Sequence, residues 1–375
     1  MNPPAHPQAR LFSFALVLIA WSAQAAAQPA PAGLPAGVQQ RIETAIQAEM
    51  ARDSIPGLSI AVAVDGVVRW ANGYGMADLE NSVPARAATS YRLASVAKPI
   101  TATAVMQLVE AGKLDLDAPI QRYAPAFPQK PWPITARQLL SHLSGIRHYE
   151  EDEQATTRHY PTLVAALDMF KNDPLRHQPG TKYLYSTFGY TLLGVALEAA
   201  AGMPYADYVR THVFLPAGME TIRVDEVAAI IPYRAQGYLK LPGGRLVNSA
   251  LSDTSFKVPG GGLCGTVLDL ARFAIAFQAG KLVKPATAEQ MCTPNPVSLR
   301  RARVGDDIGY GMGWNVVIHD GERQPFHAGN QQRVTNLLFT RPQRRVVVAM
   351  MSNLENAHLT VVLARQISDL ALEAK

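Results

Sequence analysis

The sequence predicts an α+β fold, with one antiparallel sheet flanked by helices and completed by both ends of the chain. A helical subdomain is inserted between those ends. Three observations predict this. Near the N-terminus, "IPGLSIAVAVDGVVRWANGYG" reads as a β-hairpin: Ile60, Val62 and Val64 fall two apart, Asp65-Gly66 supplies the turn, and Val67 to Trp70 begin the return. The C-terminal third returns to short β-rich runs, "GYGMGWNVVIHDG", "RQPFHAG", "RVTNLLFTRP" and "RRVVVAMMSN", before the amphipathic helix "AHLTVVLARQISDLALEA". The stretch between them, about 115–231, is rich in helix patterns and loops, including "GYTLLGVALEAAAG", a helix closed by Gly202.

The remaining elements follow in chain order. Arg10 precedes an apolar run from Leu11 to Trp21, and small residues follow it. Residues 1–27 therefore read as a secretory signal peptide, cut after Ala25 or Ala27, rather than as a retained membrane anchor. That reading places the protein in the periplasm. Residues 28–37, "QPAPAGLPAG", read as a linker, and residues 38–375 as the folded domain. Val38, Ile42, Ile46 and Met50 recur every four residues and mark a first helix.

Of the 375 residues, 48% are hydrophobic and 17% charged, and the formal net charge is +5. That suits a large core and excludes a disordered chain. The basic residues are scattered apart from "SLRRAR" around Arg300, which reads as a solvated loop. No basic stripe with interleaved aromatics appears, so nucleic acid is not an expected partner. Cys264 and Cys292 form either a disulfide or two buried thiols. Neither H-x-H nor H-E-x-x-H spacing occurs, so no metal and no cofactor are expected.

The chemistry concentrates in "YRLASVAKPITATAVMQLVEAGKLDLD", from Tyr91 to Asp117. Ser95 and Lys98 are three apart, on one face of a helix. Pro99 is tolerated only if the helix has just begun, which places its start at about Ser95. A serine hydroxyl needs a base to become a nucleophile, and a lysine can serve when burial lowers its pKa. "KYLYSTFGYTLLG" places Tyr185, Ser186 and Thr187 before another helix, where a phenol could relay a proton to a leaving group. "FHAGNQQRVTNLLF" places His327, Ala328 and Gly329 at a strand where a substrate could lie, with the NH of Asn330 as an oxyanion donor. His319-Asp320-Gly321 also fits H-x-G but reads as a hairpin turn. "GGGLCG" matches G-x-G-x-x-G, yet it reads as the loop into a helix capped by Thr266 and Asp269.

The ordered set Ser-x-x-Lys, Tyr-Ser-x and His-x-Gly resembles the serine β-lactamase and penicillin-binding protein superfamily, on its class C-related side. "EAGKLDLDAPIQRYAPAFP", "ITARQLLSHLSGIRHY" and "YSTFGYTLLG" look especially like the branch holding mitochondrial serine β-lactamase-like proteins and their bacterial relatives. The resemblance implies a β-lactamase/D,D-peptidase-like fold. It implies that Ser95 is acylated, Lys98 is its base or proton relay, and Tyr185 shuttles protons. His327 would replace the usual lysine of the third motif, and the NH groups of Ser95 and Asn330 would form the oxyanion hole. Ser144 and Gly145 match a structural segment. Thr187 stands where asparagine often holds the substrate's amide, and H-A-G stands for K-T-G. Both departures disfavour efficient β-lactam hydrolysis. The expectation is an exported serine hydrolase acting through an acyl-enzyme on a small peptide, amide or ester. The alternatives are a β-lactamase or D,D-peptidase, and a non-catalytic penicillin-binding or scaffold protein.

Overall fold

Alternate residues of the first hairpin strand face different cores, and this organises the molecule. In a computed structural model, the described residues are Met1, 33–301 and 306–374. The signal-peptide reading of residues 1–27 lies outside them. The first helix, α1, spans Ala36–Asp53. The predicted linker therefore ends at Pro35, which holds the N-cap position, and Ala36 and Gly37 are already helical.

Strands β1 (Gly57–Val64) and β2 (Val67–Asp78) form the hairpin. Asp65 and Gly66 both have positive φ, 54° and 79°, as the predicted tight turn requires. The C-terminal third adds β4 (Arg300–Arg301), β5 (Asp307–Tyr310), β6 (Asn315–His319), β7 (Glu322–Gln331), β8 (Val334–Arg341) and β9 (Val346–Ser352). With β3 (Val83–Pro84) they make a nine-stranded sheet in the order β3-β2-β1-β9-β8-β7-β6-β5-β4. Strand β1 pairs antiparallel with β9, Ile60 opposite Met350, so the two ends of the domain share one sheet. His319-Asp320-Gly321 is the β6–β7 turn, with Asp320 and Gly321 at positive φ. The solvated loop expected around Arg300 is instead an exposed edge strand, pairing with β5.

Leu58, Ile60, Val62 and Val64 pack with Val346, Val348 and Met350 under α1 and the last helix, α5 (Val361–Leu372). Ala61, Ala63, Val347, Ala349 and Met351 face the opposite core. That core is covered by α2 (Ala97–Glu110), α3 (Thr187–Ala201) and α4 (Val267–Gln278). The segment 115–231 supplies α3 and several one- or two-turn helices. From Gly33 onward the chain is one compact unit. No helix among the described residues is long and apolar enough to cross a membrane.

A small sheet fixes the approach to Ser95. Leu263–Gly265 lies between Tyr91–Arg92 and Arg223–Val224. The Leu93 NH then donates to the Leu263 carbonyl at 2.7 Å. Arg92 and Arg234 hold opposite oxygens of the fully buried Asp225 carboxylate, which lock this sheet to the loop behind it. Cys264 sits in the same sheet and does not pair with Cys292: both thiols are free and buried, and burial pushes the Cys264 thiol up to about 12.

Helix α4 begins with a complete capping box. The Thr266 hydroxyl accepts from Asp269 N, and the Asp269 carboxylate accepts from Thr266 N, both at 3.2 Å. Thr266→Ala should therefore lower stability by about 1 kcal/mol. Urea unfolding should show a lower midpoint at an unchanged slope, and an unaltered midpoint would refute the cap's contribution.

Candidate active site

Ser95 does not open an α-helix as its spacing suggested. It sits in a 3-10 turn, Ala94–Val96, directly before α2. Ala94 before it has φ 48°, a left-handed conformation that is uncommon for alanine. Pro99 is then the third residue of α2, where its missing NH costs nothing.

Lys98 points back along α2 beneath the serine and has no solvent exposure. Its Nζ lies 3.1 Å from Ser95 Oγ, 3.1 Å from Thr187 Oγ1 and 2.7 Å from the Gly260 carbonyl oxygen. Among the described residues no carboxylate pairs with it. Burial first, and the charge of Lys257 second, hold its pKa well below the usual lysine value.

Tyr185 arrives just before the N-cap of α3, where the Ser186 hydroxyl accepts from Gly189 N at 3.0 Å. Its ring centre is 4.8 Å from Lys98 Nζ. Burial raises its pKa, and hydrogen bonds involving Ser95 and Thr187 only partly oppose this, so the phenol stays protonated at neutral pH. Thr187 lines the cavity, and its hydroxyl lies 3.1 Å from Lys98 Nζ.

Strand β7 supplies the fourth wall. Strand β6 pairs with it only as far as Phe326, so from His327 onward the edge away from β8 has no strand partner. Gly329 allows this edge to abut the serine turn. A Cβ there would lie 2.7 Å from Leu93 O and 3.2 Å from Ser95 N. Gly260 works in the same way, because a Cβ would lie 2.6 Å from Thr187 Cγ2.

His327 stands on β7 beside the site, its ring centre 6.5 Å from that of Tyr185. It is 1% exposed and does not line the cavity beside Ser95. Strand pleating turns it inward, where Nε2 lies 3.0 Å from Tyr310 Oη and Nδ1 2.7 Å from the Ala328 carbonyl. Burial, then the Lys98 charge, lower its pKa to about 3, so it carries no charge for a substrate. Asn330 does line the cavity, and its side chain is held by Asn356.

The cavity holds about 340 Å³ and is lined by Ser95, Tyr185, Thr187, Asn330 and residues that the sequence reading passed over. Those are His148, Tyr149, Gln154, Lys257 and Gln331; Ala328 and, from "GGGLCG", Gly260 and Gly261 also line it. His142, from the "SHLSGI" segment, packs its ring 4.2 Å from that of Tyr185 and accepts from Ser186 N through Nδ1. Gly145 of that segment has φ 74° and abuts His177, which fits a structural part. A larger cavity, about 720 Å³, lies beside Tyr160, Glu198 and Tyr205, but it contains neither Ser95 nor Lys98. Volume therefore does not mark the site. No group of three His, Cys, Asp or Glu among the described residues could hold a metal ion.

A family model described as Beta-lactamase matches residues 42–372. The mitochondrial serine beta-lactamase-like protein LACTB of Homo sapiens is 34% identical over 347 residues, covering 70% of this chain and 63% of that protein. This chain thus spans about two thirds, or slightly less, of that relative's length. Protein flp of Staphylococcus aureus is 27% identical over 327 residues, covering 86% of this chain and 64% of that protein. The structure of an octameric penicillin-binding protein homologue from Pyrococcus abyssi superposes with a TM-score of 0.75 at 27% identity, covering 89% of this chain and 77% of that one. The chain belongs to the β-lactamase and penicillin-binding protein family of serine hydrolases.

Proposed function

We propose that the protein forms an acyl-enzyme at Ser95 with a small peptide, amide or ester, using Lys98 as the base. The observation that carries this reading is the buried Lys98 amine, 3.1 Å from Ser95 Oγ and unpaired with any carboxylate. A neutral amine has two N–H donors and one lone pair. The Gly260 carbonyl and Thr187 hydroxyl take the two donors, and the lone pair is left for the serine proton.

Attack then proceeds as follows. Ser95 Oγ bonds to the substrate carbonyl carbon as Lys98 takes its proton. The NH groups of Ser95 and Asn330 receive the oxyanion. Tyr185 gives its proton to the leaving group, and the Lys98 ammonium restores it through the Thr187 hydroxyl, which hydrogen-bonds both groups. Water reverses the sequence and releases the acid. The apolar run from Leu11 to Trp21 supports export to the periplasm. The neutral, buried His327 offers no fixed charge at the third-motif position.

Intact-protein mass spectrometry tests the nucleophile. A fluorophosphonate should add once to the protein and not to Ser95→Ala; equal labelling of the variant would end the proposal. A penicillin arm reports whether β-lactams enter. Lys98→Met should slow acylation by about 100-fold or more, because the hydroxyl loses its base.

The pH profile is a second test. The neutral form of Lys98 is active, so kcat/KM should fall as pH drops through its depressed pKa. The Lys257 charge is one cause of that depression. Lys257→Met should therefore raise the Lys98 pKa and move the acid limb to higher pH. An unmoved or downshifted limb would contradict the assignment of Lys98 as base.

A further inference from the structure

Lys257 is the unexplained group in this cavity. It is 1% exposed, it lies in the turn before the glycine run, and its Nζ has no hydrogen-bond partner among the described residues. The amine sits 5.3 Å from the Tyr149 ring centre and 5.2 Å from that of Phe256. A buried amine without an acceptor is costly, and such orphans call for a specific explanation.

A second orphan donor lines the same cavity: Gln331 Nε2, at the end of β7, is also buried without a partner. A third donor is His148. Its Nδ1 accepts from Thr187 N, so Nε2 carries the ring proton. Burial, then Lys98, lower its pKa to about 3, so it is a neutral donor. No Asp or Glu lines the cavity. Two of these donors, Lys257 Nζ and Gln331 Nε2, have no acceptor among the described residues, and Asp225, the carboxylate whose charge reaches Lys257, is already held by Arg92 and Arg234.

We infer that Lys257, assisted by Gln331, binds a carboxylate on the substrate, so that this serine hydrolase selects acidic acyl or peptide substrates. The inference rests on the hydrolase reading of Ser95 for its role in turnover. It stands on its own for binding. The charged donor sits on a different element from His327, so this is not the third-motif position under another residue. A carboxylate accepts several hydrogen bonds at once, which matches an ammonium and an amide converging from two elements. The aromatic faces of Tyr149 and Phe256 favour the protonated amine meanwhile.

Two matched esters test this directly: mono-4-nitrophenyl glutarate, which is anionic, and 4-nitrophenyl hexanoate, which is neutral. The wild type should favour the anionic ester in kcat/KM by about ten- to a hundredfold. Lys257→Met should bring the ratio close to one. The ratio is the readout because a changed Lys98 pKa affects both esters alike. No preference in the wild type, or a preference that survives Lys257→Met, overturns the inference. A binding arm separates it from the hydrolase reading. Glutarate should raise the melting temperature of Ser95→Ala but not of the Ser95→Ala, Lys257→Met double variant. If fluorophosphonate fails to label Ser95 while this shift holds, the anion site stands and the hydrolase reading falls. If glutarate shifts neither variant, or both equally, the anion site falls whatever the labelling shows.

Discussion

The site depends on a lysine being buried where its charge is disfavoured. Lys98 is fully enclosed, and an ammonium there would cost several kcal/mol with no carboxylate to offset it. The fold supplies two oxygens for its N–H groups and leaves the lone pair facing Ser95. The surroundings agree with this. His142, His148 and His327 all have lowered pKa values, with burial as the first cause and Lys98 among the others. A Ser-His-Asp site stabilises the charged state of its base through a carboxylate. Here the surroundings of Lys98 make its charged state costly, as the proposed role of base requires.

Such an arrangement demands close backbone approach, and two glycines provide it. Gly260 lets its carbonyl reach Lys98 past Thr187. Gly329 lets the unpaired edge of β7 meet the serine turn, bringing the Asn330 segment to the cavity. The small sheet around Leu263 ties both regions together, since Leu93 N bonds its carbonyl and the glycine run leads into it. The main sheet then acts as a rigid frame, and the reactive groups hang from its edge and from the starts of two helices. Backbone positions at element ends can be set by packing while their NH groups remain free for a substrate.

Much of this was legible in the sequence because it is local. Period-two alternation and the Asp65-Gly66 turn gave the hairpin, and Pro99 located the helix start to within two residues. Ser95 and Lys98 meet because three residues separate them, which is a local rule. Long-range contacts were not legible. Nothing near Thr187 announces that its hydroxyl meets a lysine 89 positions away. His327 looked like a substrate contact, but only strand pleating and Tyr310 decide that it turns inward. No local pattern at Lys257 signals burial, which depends on Tyr149 and Phe256 folding over it.

Two buried lysines in one cavity cannot both hold a proton cheaply, so their titrations are coupled. Their surroundings decide where a shared proton resides. Lys98 is placed against acceptors that a neutral amine already satisfies, so a third N–H gains it only the serine oxygen. Lys257 has two aromatic faces, which attract an ammonium and do little for an amine. Burial lowers both pKa values, that of Lys257 to about 7, and the Lys257 charge is among the causes that lower that of Lys98. A proton held on Lys257 discourages a second on Lys98. The charge on Lys257 thus works in the direction that the proposed role of Lys98 as base requires.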